Sequence, residues 1–239
     1  MIKLVKYQIQ KIVAALRVLS VEILVLVALF FASLVVFLLL AQTIFKGGTF
    51  VFDARAFDVV ASGVGGLQTR IMQIFSFLGS HLFLIPAYLL LLAWFIFFEK
   101  KKWFSIKIPS VAVTSLTLML LLKLFFRRPR PIDPLLSAAA GFSFPSGHAF
   151  MSVSFYGLLG YILFKHIHLR WLRVAAGLLL CAIVVLIGFS RIYLRVHYAS
   201  DVLAGFCVGI TWLILSLHIL SRLEKRSLKK MIQTVGATQ

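Results

Sequence analysis

Six stretches of the chain are apolar at most positions over 17 to 24 residues: about 21–44, 81–98, 108–126, 149–165, 174–190 and 202–221. A helix needs roughly 20 such residues to cross the hydrocarbon of a bilayer, so the pattern predicts six transmembrane helices joined by short loops. The connection 45–80 reads differently. Phe50, Phe52, Phe57, Val59 and Val60 mix there with Asp53, Arg55 and Asp58, and Ile71, Ile74, Phe75 and Leu78 recur at i, i+3, i+4 and i+7, the spacing of one helix face. One or two short helices lying in the membrane interface are expected, broken at Gly63, Gly65 and Gly66. Residues 1–20 form a basic amphipathic lead-in to an uncleaved first span, because the apolar stretch outruns a secretory h-region and no A-x-A site follows closely. Residues 222–239 form a basic cytoplasmic tail that frays from about 231. The expected fold class is all-α: an integral membrane six-helix bundle, with 1–239 as a single membrane-embedded domain.

Composition removes the alternatives. The chain is 62% hydrophobic and only 13% charged, with a mean hydropathy of +1.03. That leaves too few charges to cover a soluble monomer and too much apolar surface for disorder. The formal charge of +18 does not point to nucleic acid, because the cations sit in short clusters between apolar runs, where Lys and Arg orient loops. Counted by loop, 16 of the 25 Lys and Arg lie on the face that holds both termini. That face is expected to be cytoplasmic, and the compact architecture with short loops suggests a bacterial inner membrane. The other nine are Lys46, Arg55, Arg70, Lys123, Arg127, Arg128, Arg130, Arg191 and Arg195, and their presence outside calls for a reason. Cys181 and Cys207 lie within apolar runs and read as small core residues.

That reason lies in three polar blocks at the outer span ends, 123–131, 143–148 and 190–201. Lys123, Arg130 and Arg191 form a set of fixed charges with forked donors suited to phosphate oxygens. Pro145, Ser146, Gly147 and His148 stand just before a span, where backbone N–H groups at a helix start attract anions. Two histidines complete the set, with an ordinary pKa suited to proton transfer and to nucleophilic attack. Asp201 follows His197 by four residues, which puts both on one helix face. Its carboxylate would accept from one imidazole nitrogen and leave the other to attack, as the carboxylate of a Ser-His-Asp triad orients its imidazole. The chemistry is a double displacement: His197 attacks phosphorus, His148 protonates the leaving oxygen, and water activated by His148 then releases phosphate. The cationic set stabilises the charge on the transferring group.

These blocks resemble the signature of the type 2 phosphatidic acid phosphatase superfamily. Lys123, Arg130 and Pro131 match its first block, 145–148 its Pro-Ser-Gly-His, and Ser190, Arg191, His197 and Asp201 its third. The resemblance implies a metal-independent lipid phosphatase without a cofactor, with His197 as nucleophile, His148 as acid and base, and Asp201 as the orienting partner. It assigns phosphate binding to Lys123, Arg130, Ser146, Gly147 and Arg191. Bacterial members act on phosphatidylglycerol phosphate, phosphatidate and undecaprenyl pyrophosphate, so a lipid phosphate substrate and membrane lipids are the expected partners, met at the outer face of the inner membrane.

Two other readings use the same residues. A phosphotransferase would pass the group to a lipid acceptor such as lipid A, and a transporter or scaffold would keep the fold without the chemistry, against which the intact His148, His197 and Asp201 argue. Arg127 and Arg128 lie outside the signature and read as headgroup contacts or solvated charge. As headgroup contacts they would favour a pyrophosphate or phosphatidylglycerol phosphate over a simple monoester.

Overall fold

The computed structural model describes residues 21–61, 63–132, 134–135 and 141–236, so the basic lead-in expected over 1–20 lies outside the described residues. Among the described residues there are eight helices and no strand: α1 (Val21–Phe45), α2 (Val51–Ala61), α3 (Gly66–Leu78), α4 (His81–Phe97), α5 (Lys102–Phe126), α6 (Gly147–His166), α7 (Arg170–Tyr193) and α8 (Ala199–Gly236). Five of them, α1, α5, α6, α7 and α8, are long and apolar enough to cross a membrane singly, and the protein is a multi-pass membrane protein. The sixth expected span, 81–98, coincides with α4, which at 17 residues reaches membrane length only together with α3, from which it is bent by 43° at Gly79 and Ser80.

α6 is the central helix, in contact with α4, α5, α7 and α8. Its Ala149, Phe150, Ser152, Ser154 and Leu158 are all buried, and small residues let the backbones approach closely, as membrane helices need where apolar burial alone gives no preference over lipid. Gly205 of α8 marks the tightest approach: a Cβ there would lie 2.7 Å from the Ser146 carbonyl oxygen and 2.9 Å from Ala149 Cβ. α1 packs chiefly on α8 and otherwise leaves its Leu and Val side chains exposed, as a lipid-facing helix should.

The apolar stripe of α3 faces away from the protein, and two expectations, on the tail and on Cys181, need correction. In α3, Ile71 and Ile74 of the apolar stripe are exposed, whereas the small polar side faces the protein: Thr69 hydrogen-bonds the Tyr193 hydroxyl at 3.2 Å and Ser76 is buried against Arg191. Apolar groups outward and polar groups inward is the economy of a helix against lipid. The fraying expected from about 231 is not seen as far as Gly236, because α8 stays helical for 38 residues. Its last turns are rich in Lys, Arg, Glu and Leu, all strong helix formers. Cys181 is exposed, while Cys207 is buried as expected.

Candidate functional site

The C-terminus of α5, the N-termini of α6 and α8 and the C-terminus of α7 meet at one end of the bundle, together with α2 and α3. Each polar block is held there by its own backbone. Arg127 closes α5 in the left-handed region at φ +47°, turning the chain so that Arg128 and Arg130 point back over the bundle. Ser143 donates through its N–H to the Arg128 carbonyl at 2.8 Å and through its hydroxyl to the Pro129 carbonyl at 2.8 Å, which fastens the first block to the second. After α7, Arg195 takes φ +54° and the Val196 N–H donates to the Arg191 carbonyl at 3.1 Å, so His197 is delivered beside Arg191. The Ser146 N–H donates to the Asp201 carbonyl at 2.9 Å and ties the second block to the third.

A cavity of about 730 Å³ begins here and runs between α4 and α5. Lys123, Arg130, Gly147, His148, Arg191 and His197 line its polar end, and the rest is walled by residues such as Leu92, Ile108, Ala112 and Leu116. Six of the eight residues singled out from the sequence thus share one surface. Asp201 and Ser146 stand behind it, fully buried. The Ser146 N–H is already engaged, which leaves the N–H groups of Gly147 and the residues after it as the helix-start donors. A Cβ on Gly147 would sit 3.4 Å from Met119 Sδ and 3.6 Å from Lys123 Cε, within the polar end itself.

His197 is 2% exposed. Its Nε2 lies 3.3 Å from Arg130 NH1, and since a guanidinium only donates, that contact requires Nε2 to carry a lone pair. The ring proton then sits on Nδ1, 3.5 Å from Asp201 Oδ2. This is ion-pair range and longer than a hydrogen bond, although such contacts often tighten only once substrate is bound. Burial holds the pKa of His197 well below the ordinary imidazole value of 6.5, and Lys123, Arg130 and Arg191 lower it further. The ring is therefore neutral at physiological pH. Burial also lowers the pKa of Arg130 from its ordinary value.

The three cations are positioned by oxygens. Lys123 donates to the Phe142 carbonyl at 2.6 Å, Arg130 to the Gly141 and Val196 carbonyls at 2.9 and 2.8 Å, and Arg191 to the Ser76 hydroxyl. Arg128 is different and corrects the reading of it as a headgroup contact or solvated charge. It is 9% exposed and does not line the cavity. Its NH1 donates to Asp201 Oδ1 at 2.6 Å and its NH2 to Asp53 Oδ2 at 3.0 Å, while its plane lies 4.0 Å over the Tyr198 ring. A preference for a pyrophosphate or phosphatidylglycerol phosphate over a simple monoester, argued from Arg127 and Arg128, therefore loses one of its two cations. Asp53 and Ser76 are the participants that sequence reasoning missed. The only trace of Asp53 was a carboxylate among the aromatics of a loop.

Membrane spans, a cationic cavity end and a His197–Asp201 contact at 3.5 Å have the chemistry that a phosphate on an apolar tail calls for. Residues 104–225 match the PAP2 superfamily, and the chain belongs to that family. Phosphatidylglycerophosphatase B of Bacillus subtilis (strain 168) is 35% identical over 146 residues, 59% of this chain and 70% of that protein. The crystal structure of the first transmembrane PAP2 type phosphatidylglycerolphosphate phosphatase, also from Bacillus subtilis, superposes with a TM-score of 0.71 at 27% identity, over 81% of this chain and 96% of that one. LpxE of Aquifex aeolicus superposes with a TM-score of 0.57 at 28% identity, over 71% of this chain and 96% of that one. The protein is a multi-pass membrane enzyme of the lipid phosphatase class.

Proposed function

We propose that the protein hydrolyses a lipid phosphate or diphosphate by way of a phosphohistidine on His197, without a metal ion or cofactor. The observation that carries this reading is the cavity: one end joins His148, His197 and three cations, and the remainder is apolar apart from His81 and Tyr88. A lipid would enter with its phosphate among Lys123, Arg130 and Arg191 and its chain along α4 and α5. Gly147 and its first-turn N–H groups would complete the cradle, with Ser146 fixing the turn that presents them.

In the first step the His197 Nε2 lone pair attacks phosphorus, the N–P bond forms, and the bond to the leaving oxygen breaks as His148 gives that oxygen a proton. The cations stabilise charge on the equatorial oxygens, the largest single contribution in most such sites. Asp201 supports the Nδ1 proton as positive charge grows on the ring. In the second step His148 takes a proton from water, the water oxygen attacks phosphorus, and the N–P bond breaks to restore His197 and release phosphate.

Phosphatidylglycerol phosphate is the first candidate substrate, since a relative at 35% identity is named for that activity; undecaprenyl pyrophosphate is its competitor. The whole chain works as one membrane-embedded unit in the inner membrane, with both termini cytoplasmic and the site facing outward, in keeping with the 16 Lys and Arg on the opposite side. The test is phosphate release by the detergent-purified protein in EDTA, from phosphatidate, phosphatidylglycerol phosphate and undecaprenyl pyrophosphate. Metal-free turnover lost in His197→Ala supports the reading. Turnover that survives in the variant, or that needs an added metal, contradicts it.

A further inference from the structure

We propose that Asp53 is a positioning residue of the reaction: through Arg128 it fixes the orientation and the charge of Asp201, and so the state of His197. The proposal rests on His197 being the nucleophile. Asp53 belongs to α2, a helix whose Val51, Phe52 and Val59 are exposed, yet it is itself 4% exposed. Its Oδ1 accepts from the Ser200 N–H at 2.7 Å, and its Oδ2 accepts from the Ser200 hydroxyl at 2.7 Å and from Arg128 NH2 at 3.0 Å. It thereby satisfies a donor of the first turn of α8, one residue before Asp201, from far along the chain. Arg128 turns its other nitrogen, NH1, to Ser200 Oγ at 2.7 Å and to Asp201 Oδ1 at 2.6 Å. Asp201 Oδ2 accepts the Tyr198 N–H at 2.9 Å, which leaves that oxygen facing His197.

A planar guanidinium bridging two carboxylates holds both in register. It also distributes charge. With Asp53 ionised, one Arg128 serves two carboxylates, and a net negative charge remains behind His197. Without it, Arg128 serves Asp201 alone, and that negative charge is cancelled. The charged and titratable groups around the His197 ring are Lys123 of α5, His148 of α6, Arg191 of α7, Asp201 of α8 and Arg130 of the connection, with Arg128 behind Asp201. Asp201, supported by Asp53, is the acidic member of that set.

The test uses the full-length protein in detergent with dioctanoyl phosphatidate as the probe, and follows kcat, KM and the pH profile for Asp53→Asn, Arg128→Lys, their double variant and Asp58→Asn, an exposed carboxylate on the same helix. Groups that orient the ligands of a metal are commonly worth about 10–100-fold; on the same scale, Asp53→Asn is expected to lower kcat by that factor with KM changed less than about 2-fold. Its acid limb should move to lower pH, because a ring that has lost negative charge nearby is harder to protonate. Mere loosening would admit water and move the limb up toward 6.5. Asp58→Asn should behave as wild type. The double variant should lose no more than the worse single variant, since groups acting as one unit are not additive. If Asp53→Asn does not fold, Arg128→Lys, which keeps the charge but not the fork, is read by its loss of kcat at unchanged KM. Wild-type kcat in either folded variant, or a limb that rises in Asp53→Asn, overturns the proposal. Wild-type turnover that persists in His197→Ala overturns the reading of His197 and this proposal with it, whereas turnover lost there but intact in Asp53→Asn overturns only this proposal.

Discussion

The two ends of the helix bundle both bury cations, with different partners. At the end away from the site, Lys107 of α5 is 1% exposed, salt-bridged to Glu224 of α8 at 2.6 Å and in reach of the Tyr161 hydroxyl at 3.3 Å. Lys165 lies over the Tyr161 ring, 4.7 Å from its centre, and His166 packs against the stacked pair Phe95 and Phe104. At the site end, Lys123 and Arg191 are held by a carbonyl and a hydroxyl; among the described residues neither has a carboxylate within salt-bridge distance. A buried cation with its own anion fastens helices. A cation held only by neutral oxygens, as the half-buried Lys123 and the buried Arg191 are, keeps its charge for an anion from outside. The site end also contains the matched kind: Arg128 is paired with both Asp53 and Asp201.

The comparison can be broken by moving one residue at a time. His197→Ala should lower kcat at least about 10³-fold, the scale on which loss of a nucleophile or its base is felt, with the unfolding temperature nearly unchanged. Arg191→Gln should cost about 10²–10³-fold in kcat/KM, the scale of removing one preorganised donor to a developing anion, and steady-state kinetics on the same lipid panel would show it. If Arg191 were merely structural, Arg191→Gln would lose stability and keep its kcat.

The pH profile sharpens the electrostatic side. His197 has a pKa held below 6.5 by burial and by three cations. As pH falls from 7 the ring stays neutral through 6.5 and becomes protonated only below it, so the acid limb of kcat/KM should lie below pH 6.5. A limb at or above 6.5 would mean the ring is solvated or dominated by Asp201. The smallest effect belongs to the far end. Lys107→Met removes the partner of a Glu224 side chain that is 27% exposed, and should cost about 1–3 kcal/mol of stability while leaving kcat/KM within about 2-fold of wild type. A large kinetic loss there would erase the distinction between the two ends.

How much was legible from sequence follows the same division. Apolar runs of membrane length identify spans because the bilayer demands that every backbone group be satisfied within a helix. The three polar blocks stand out because they interrupt those runs at span ends. The bend between α3 and α4 was hidden, since a short interfacial helix followed by a span and one bent element have the same hydropathy. Asp53 and Ser76 were hidden because their partners, Arg128 and Arg191, lie 75 and 115 residues away, and no period in the sequence records such pairings. Arg128 was misread for the complementary reason: an arginine beside Arg127 and Arg130 looks like part of a solvated cluster until a carboxylate from α2 and another from α8 are seen on either side of it.

The central claim is that phosphate passes through His197. Rapid acid-free quenching of the enzyme with phosphorus-labelled phosphatidate, in EDTA, tests it most directly. The account predicts a base-stable, acid-labile phosphoprotein that maps to the peptide carrying His197, forms within one turnover and is absent in His197→Ala. Full turnover with no labelled protein, or a label on any other residue, would contradict it.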